Sequence, residues 1–183
     1  VEDYTDFLRD FVMENGIEEP ILIGHSFGCR VAIRYAVRYP VRKMCLTGAA
    51  GIRIQPTAAQ KLRTKAYKAA KWALKTAHQE ETLRKLQDRS GSVDYRNAKG
   101  VMRETFVKVV NDDIRPLLPQ VACSVLLVFG DQDTATPLAM GKIMEQEMPD
   151  AGLAIFEGDD HYAYWHQADR FNRVLDVFLK EDR

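Results

Sequence analysis

Residues Ile21-Leu22-Ile23-Gly24-His25-Ser26-Phe27-Gly28 limit what this chain can become more than any other stretch. An apolar run of β-type residues meets Gly-x-Ser-x-Gly, and a helical pattern from Cys29 to Arg38 follows directly. Strand, tight turn and helix in that order make a nucleophile elbow. A serine hydroxyl is a poor nucleophile until a base takes its proton. The elbow lifts Ser26 out of the backbone to where a base can reach it. Gly24 and Gly28 are expected to flank it because a Cβ at either place would crowd the neighbouring helix or strand. The helix N-terminus below adds positive partial charge for a developing oxyanion. The three fixed residues alone arise by chance in roughly one chain in sixteen at this length, so the flanking strand and helix give the motif its weight.

Other features of the chain exclude several classes. Its 183 residues, 46% apolar and 28% charged, are enough for a globular domain with a real core. The 26 basic and 26 acidic residues cancel, which argues against nucleic acid or an anionic membrane as a partner. No apolar run approaches the roughly 18 residues of a membrane span. Val1-Glu2-Asp3-Tyr4 has no signal-peptide character, and the missing initiator Met leaves room for an upstream start. Cys29, Cys45 and Cys123 have no CxxC spacing and read as reduced thiols of a cytosolic protein. Cys29 lies near Ser26 but lacks the elbow geometry of a nucleophile.

Along the chain, Tyr4, Phe7, Leu8, Phe11 and Val12 recur at helical spacing and predict an amphipathic helix over Val1 to Asn15. The elbow strand, Pro20 to Gly24, follows. Its helix ends before Pro40, and Met44 to Thr47 reads as a second buried strand closed by Gly48-Ala49-Ala50-Gly51. The pattern then turns helical: Pro56 to about Ala77, Glu80 to Gln87, and Asn97 to about Asn111, with no strand signal between. The first of these carries Lys61, Arg63, Lys65, Lys68, Lys71 and Lys75, a cationic face that reads as solvated. Strand signal returns at Val125 to Phe129, apolar throughout, as a strand buried on both faces requires. A helix over Leu138 to Glu147, a last strand over Gly152 to Phe156 and a helix over Gln167 to Lys180 complete the pattern. That last helix is expected to bury Phe171, Val174, Leu175, Phe178 and Leu179. Short βα links point to a parallel sheet.

Three polar sites then fall at the C-terminal ends of predicted parallel strands: Ser26, Asp131 with Asp133, and His161. Open α/β sheets place their sites at that edge. His161 is the one histidine in a loop straight after a strand. His25 adjoins Ser26 and is expected to point elsewhere, His78 ends a helix, and His166 starts the final one. Asp133 lies further into its loop than Asp131 and so reaches across more readily. Asp159 and Asp160 adjoin His161 and are poorly placed to meet its ring. In this reading His161 takes the Ser26 proton, and Asp133 fixes the tautomer and steadies the imidazolium.

These motifs resemble the α/β-hydrolase superfamily, in the branch of small cap-bearing serine hydrolases. The matching residues are Gly24-His25-Ser26-Phe27-Gly28, Arg38-Tyr39-Pro40, Gly130-Asp131-Gln132-Asp133 with Pro137, Gly158-Asp159-Asp160-His161, and the helix from Phe171 to Leu179. The resemblance implies the C-terminal part of an α/β-hydrolase fold, a mostly parallel sheet flanked by helices with an inserted helical lid. Residues 1–51 and 121–183 would form the core and residues 52–120 the lid. It implies the triad Ser26, Asp133 and His161, with Phe27 N–H as an oxyanion donor. A complete member has about four strands before the elbow, and one of their loops brings a second donor. Here those strands are missing. The expectation is a fragment of a longer protein, or a half-fold whose open edge is covered by a missing half-sheet or a second copy.

The leading function is a serine hydrolase that cleaves a small carboxylic ester, thioester or lactone through an acyl-Ser26 intermediate. The partner expected is a small acyl substrate, with no metal or organic cofactor. Tyr67, Trp72, Tyr95, Met102, Phe106 and Tyr162 are candidate pocket residues, although those in the helical block serve equally well as lid core. Hydrolysis of a carbon–carbon bond in a diketone and acyl transfer use the same triad. A non-catalytic binding module and an inactive fragment are the readings from another class. Dehalogenases and epoxide hydrolases are disfavoured, because they need an Asp where Ser26 stands.

Overall fold

The apolar run of the third strand organises the core. In the computed structural model, which describes residues 1–54, 58–77, 79–82 and 99–180, β3 (Ser124–Gly130) lies between two parallel neighbours. The sheet order is β1 (Ile21–His25), β2 (Lys43–Thr47), β3 and β4 (Ala151–Phe156), with all pairs parallel. Side chains alternate between faces along a strand. Val125, Leu127 and Phe129 enter one cluster with Met44, Leu46, Ile33 and Met144; Leu126 and Val128 enter another with Cys45 and Phe156. The first is covered by α2 (Phe27–Ala36) and α5 (Leu138–Glu147), the second by α7 (Ala168–Lys180). Phe171, Val174, Leu175 and Phe178 of α7 are half-buried against that second face.

The chain divides into two compact units, residues 1–53 with 112–183, and residues 54–111. In the second, α3 (Ala58–Thr76) and α4 (Val101–Val110) are the long helices among the described residues, and residues 80–82 are also helical. In the first, the two ends that flank residues 54–111 are joined directly: Ile114 N–H donates to Gly51 O at 3.0 Å. Gly51 has φ +125, and a Cβ there would stand 2.6 Å from Ile114 Cγ1. Arg30 and Arg34 of α2 reach the same region and bond Asp112, whose carboxyl stays below the usual range. Burial pushes it up, and the Arg34 and Arg30 guanidinium groups outweigh that.

Two expectations need correction. The stripe of α1 (Glu2–Glu14) packs only in part: Val12 is buried, while Tyr4, Phe7 and Phe11 are exposed. They face an apolar groove of about 540 Å³, lined also by Ile23, Phe27 and Val31, along the side of β1 that has no strand neighbour among the described residues. That groove also explains the second point. A Cβ on Gly28 would meet nothing within 4 Å, whereas one on Gly24 would stand 3.2 Å from the Cys29 N of α2. Only Gly24 is required by packing.

Candidate active site

Ser26 sits where β1 turns into α2, with φ 51 and ψ −109. It is the only non-glycine residue with positive φ among the described residues. Such a conformation costs on the order of 1–3 kcal/mol and persists when surrounding structure enforces it. The enforcing contacts are main-chain: Ser26 N–H donates to Thr47 O at 3.0 Å, and Cys29 and Ala50 N–H both donate to Ser26 O. Phe27 opens α2, so its N–H has no acceptor inside the helix. The N–H groups of Gly48 and Ala50 are already used by Val128 O and Ser26 O.

Asp133 and His161 meet across two loops. Asp133 Oδ2 lies 2.7 Å from His161 Nδ1, and the Asp133 side chain is 1% exposed. Its other oxygen accepts the N–H groups of Ala135 and Thr136, both at 2.8 Å. Burial pushes this carboxyl up, but the His161 and Thr136 donors outweigh it and hold it below the usual range. An ionised carboxylate only accepts, so His161 Nδ1 carries the proton and Nε2 is left with a lone pair. Thr136 Oγ1 donates to Asp133 Oδ2 at 2.6 Å and stands 3.1 Å from His161 Nδ1, where it is placed to accept from the same N–H. Asp131 has a different task, accepting the Gly158 N–H at 2.8 Å. Among the described residues no hydrogen bond joins Ser26 Oγ to His161, a contact that is often long before substrate binds.

His161 rests on Gly48. With φ +50, this glycine lets β2 turn away, and a Cβ there would lie 2.9 Å from His161 Nδ1. Gly130 does the same for the loop after β4, since its Cβ would stand 2.3 Å from the carbonyls of Asp159 and Asp160. Sequence reading assigned neither glycine a role; each ends a strand at the site edge, the one available signal.

His25 does not point away from the site. Its ring lies 4.7 Å from that of His161, 4.9 Å from Tyr164 and 5.5 Å from Tyr162, with Nδ1 held by Thr47 O and Oγ1. Burial and the neighbouring His161 lower its pKa. Tyr162, half-exposed, also meets His161 edge-on at 5.5 Å. His166 ends the short α6 (Ala163–His166) rather than starting the last helix, and it pairs with Asp159 at 2.7 Å. Asp159, Asp160 and His166 hold donor atoms within 4.8 Å of one another. They are already engaged, with Asp159 bonded to His166 and Asp160 to Tyr162 N.

The pocket candidates Tyr67, Trp72, Met102 and Phe106 belong to the second unit, where Trp72 and Met102 are exposed and Tyr67 half-buried. Tyr95 and the side chain of Phe106 lie outside the described residues. Cys29 is wholly buried and its thiol pKa is raised by burial; burial pushes the Cys45 thiol to about 12. Neither thiol is a competing nucleophile.

A model of the alpha/beta hydrolase family matches residues 1–174. The chain belongs to the α/β hydrolase family. Among curated members, it is 30% identical over 185 aligned residues to a 2-hydroxy-6-oxo-6-phenylhexa-2,4-dienoate hydrolase of Burkholderia cepacia. It is 29% identical to a 2-hydroxy-6-oxononadienedioate/2-hydroxy-6-oxononatrienedioate hydrolase of Comamonas testosteroni. Each alignment takes in 90% of this chain and 64% of the relative, so the chain spans less than two thirds of their length. A solved meta-cleavage product hydrolase from Pseudomonas fluorescens superposes with a TM-score of 0.68 at 22% identity, over all of this chain and 72% of the other. An esterase from Exiguobacterium antarcticum gives the same TM-score at 19% identity, over 96% and 72%. These two superpositions show the α/β hydrolase fold. Among the described residues no helix is long and apolar enough to cross a membrane.

Proposed function

We propose that this α/β hydrolase chain carries the nucleophile, base and acid of a serine hydrolase: Ser26, His161 and Asp133. The observation that supports the reading best is the 2.7 Å bond between buried Asp133 and His161. It leaves the far ring nitrogen free to take a proton, at the strand edge where the strained Ser26 turn stands. Ser26 Oγ attacks a carbonyl carbon as its proton passes to His161. The imidazolium is steadied by Asp133, and Phe27 N–H faces the developing oxyanion. His161 returns the proton to the leaving group, and water then releases the acyl group from Ser26.

The curated relatives favour a particular leaving group. Their names make them hydrolases of 2-hydroxy-6-oxo-dienoates and related 6-oxo diacids; such molecules hold no ester, thioester or amide bond, so hydrolysis has to add water across a carbon–carbon bond beside the ketone. We infer the same substrate class here, in place of the ester, thioester or lactone suggested by the motifs alone. The hydroxyl of water ends on the acyl carbon and its proton on the leaving carbon.

Fluorophosphonate labelling with peptide mapping tests the nucleophile. One adduct on Ser26, lost in His161→Ala, is the expected result; a folded sample with no adduct overturns the reading. Turnover of 2-hydroxy-6-oxo-6-phenylhexa-2,4-dienoate against p-nitrophenyl acetate then separates the two substrate classes. A preference for the acetate overturns the carbon–carbon assignment and leaves the serine mechanism standing.

A further inference from the structure

The loop that carries His161 is held at two places, and the proposed reaction uses only one. The first is the ring itself, on Asp133. The second lies two residues earlier. Asp159 is 7% exposed, and its carbonyl accepts the N–H of Gln132 in the acid loop at 2.9 Å. Its side chain reaches the junction between α6 and α7. Oδ1 takes His166 Nδ1 at 2.7 Å and the Asp160 N–H at 2.9 Å, and Oδ2 takes Gln167 Nε2 at 3.0 Å. Asp160 in turn accepts the Tyr162 N–H at 2.9 Å. The two peptide units between Asp159 and His161 therefore have fixed ends.

We propose that Asp159 and His166 form a second carboxylate–imidazole couple, a positioning pair that holds the His161 loop in register for proton transfer. The site already described needs no charge at position 159, and a buried carboxylate is costly unless its oxygens are bonded. Here three donors engage them, one of them ionisable and half-exposed. Asp159 and Asp160, at 2.7 and 3.5 Å, are the ionisable groups facing the His166 ring. Arg170 of α7 joins the network only through Gln167 Oε1, and Asp131 of the acid loop only through Gly158 N.

The sign of the pH dependence follows. The hydrogen bond to Asp159 raises the His166 pKa above its usual 6.5. The charged couple is complete below 6.5 and weakens to a hydrogen bond from a neutral imidazole to the Asp159 carboxylate as pH rises through the raised pKa. Positioning of His161 is therefore weakened on the alkaline side. A displacement of about 1 Å at a reacting group costs on the order of 10²-fold.

This inference rests on the triad reading, so the test has one arm free of turnover. In imidazole ¹H–¹⁵N spectra, the His161 resonances should shift as His166 titrates, and the shift should vanish in His166→Asn. That variant keeps a donor in the place of Nδ1 but no titration. In fluorophosphonate labelling, His166→Leu should react ten- to a hundredfold more slowly at saturating probe, with half-saturation unchanged. His166→Asn, an uncharged donor, should label at the wild-type alkaline rate at every pH and so lose the alkaline fall. His161 resonances indifferent to His166 titration overturn the couple, whatever the labelling shows. Coupled resonances with no labelling at all keep the couple and overturn the triad reading instead.

Discussion

Replacing Gly48 with alanine isolates the placement of His161, the proposed base. Gly48 has no side chain to take part in the proposed chemistry, yet a Cβ on it would lie against the His161 ring. An alanine there has to hold φ +50, which costs about 1–2 kcal/mol for a residue with a Cβ. Its Cβ also lands 2.9 Å from Nδ1 and 3.0 Å from Cε1. Unstrained contact between such atoms needs about 3.5–4.0 Å, so the ring has to retreat by about 0.5–1 Å. That retreat lengthens the 2.7 Å bond to Asp133 and moves Nε2 by a similar distance. The expected outcome is a loss of about 1–2 kcal/mol in urea unfolding, the backbone share. Fluorophosphonate labelling should also slow by up to about 10²-fold. Gly152→Ala is the control, since its Cβ meets nothing within 4 Å and its φ is ordinary. A Gly48→Ala protein that labels Ser26 at the wild-type rate, with the His161 Nδ1 proton resonance unmoved, would refute the argument.

Gly28→Ala should fold and label within about twofold of wild type despite altering the Gly-x-Ser-x-Gly motif, because open space awaits the Cβ; a loss of tenfold or more would show a backbone requirement that packing does not reveal. Asp112→Ala removes the carboxylate that Arg34 bonds and that stands 3.9 Å from Arg30, 8% exposed, while keeping the carbonyl that Arg30 bonds, and should cost on the order of 1–3 kcal/mol in chemical denaturation. Asp133 and Asp159 have lowered folded pKa values, so the stability they contribute is full above about pH 4 and is lost as pH falls through those lower values. Urea midpoints that stay constant from pH 5 to pH 2 would contradict this.

Much of this architecture is written in local pattern. β3 announces itself because a strand buried on both faces can be apolar at every position, and Val125 to Phe129 are. Asp133 and His161 were legible because each closes a strand signal, and parallel strands bring such ends to one edge. What pattern does not carry is what those ends meet. Thr136 shares the Asp133–His161 bond, the His25 ring packs at a tilt against that of His161, and Asp159 finds His166. The approach of the His161 loop to the acid loop and to the end of β1 is set by Gly130 and Gly48, and nothing in the neighbouring residues encodes it. Helical spacing likewise places Tyr4, Phe7 and Phe11 on one face of α1 without saying what that face touches, and here it lines an open groove. The role of Gly28 was overstated because motif membership and steric need are separate properties.

The Gly51–Ile114 bond has a consequence for how the chain tolerates change. The chain leaves one unit after Arg53 and re-enters it at Asp112, and the two passages are tied a few residues inside that boundary. The first unit thus closes on itself at this tie, and the ordering entropy of the core depends only weakly on what the chain carries between the two passages. Doubling or halving an enclosed flexible segment changes closure by only about 0.6 kcal/mol. The intervening module can therefore be exchanged for one of another length with little effect on the folding of the unit that holds Ser26, Asp133 and His161.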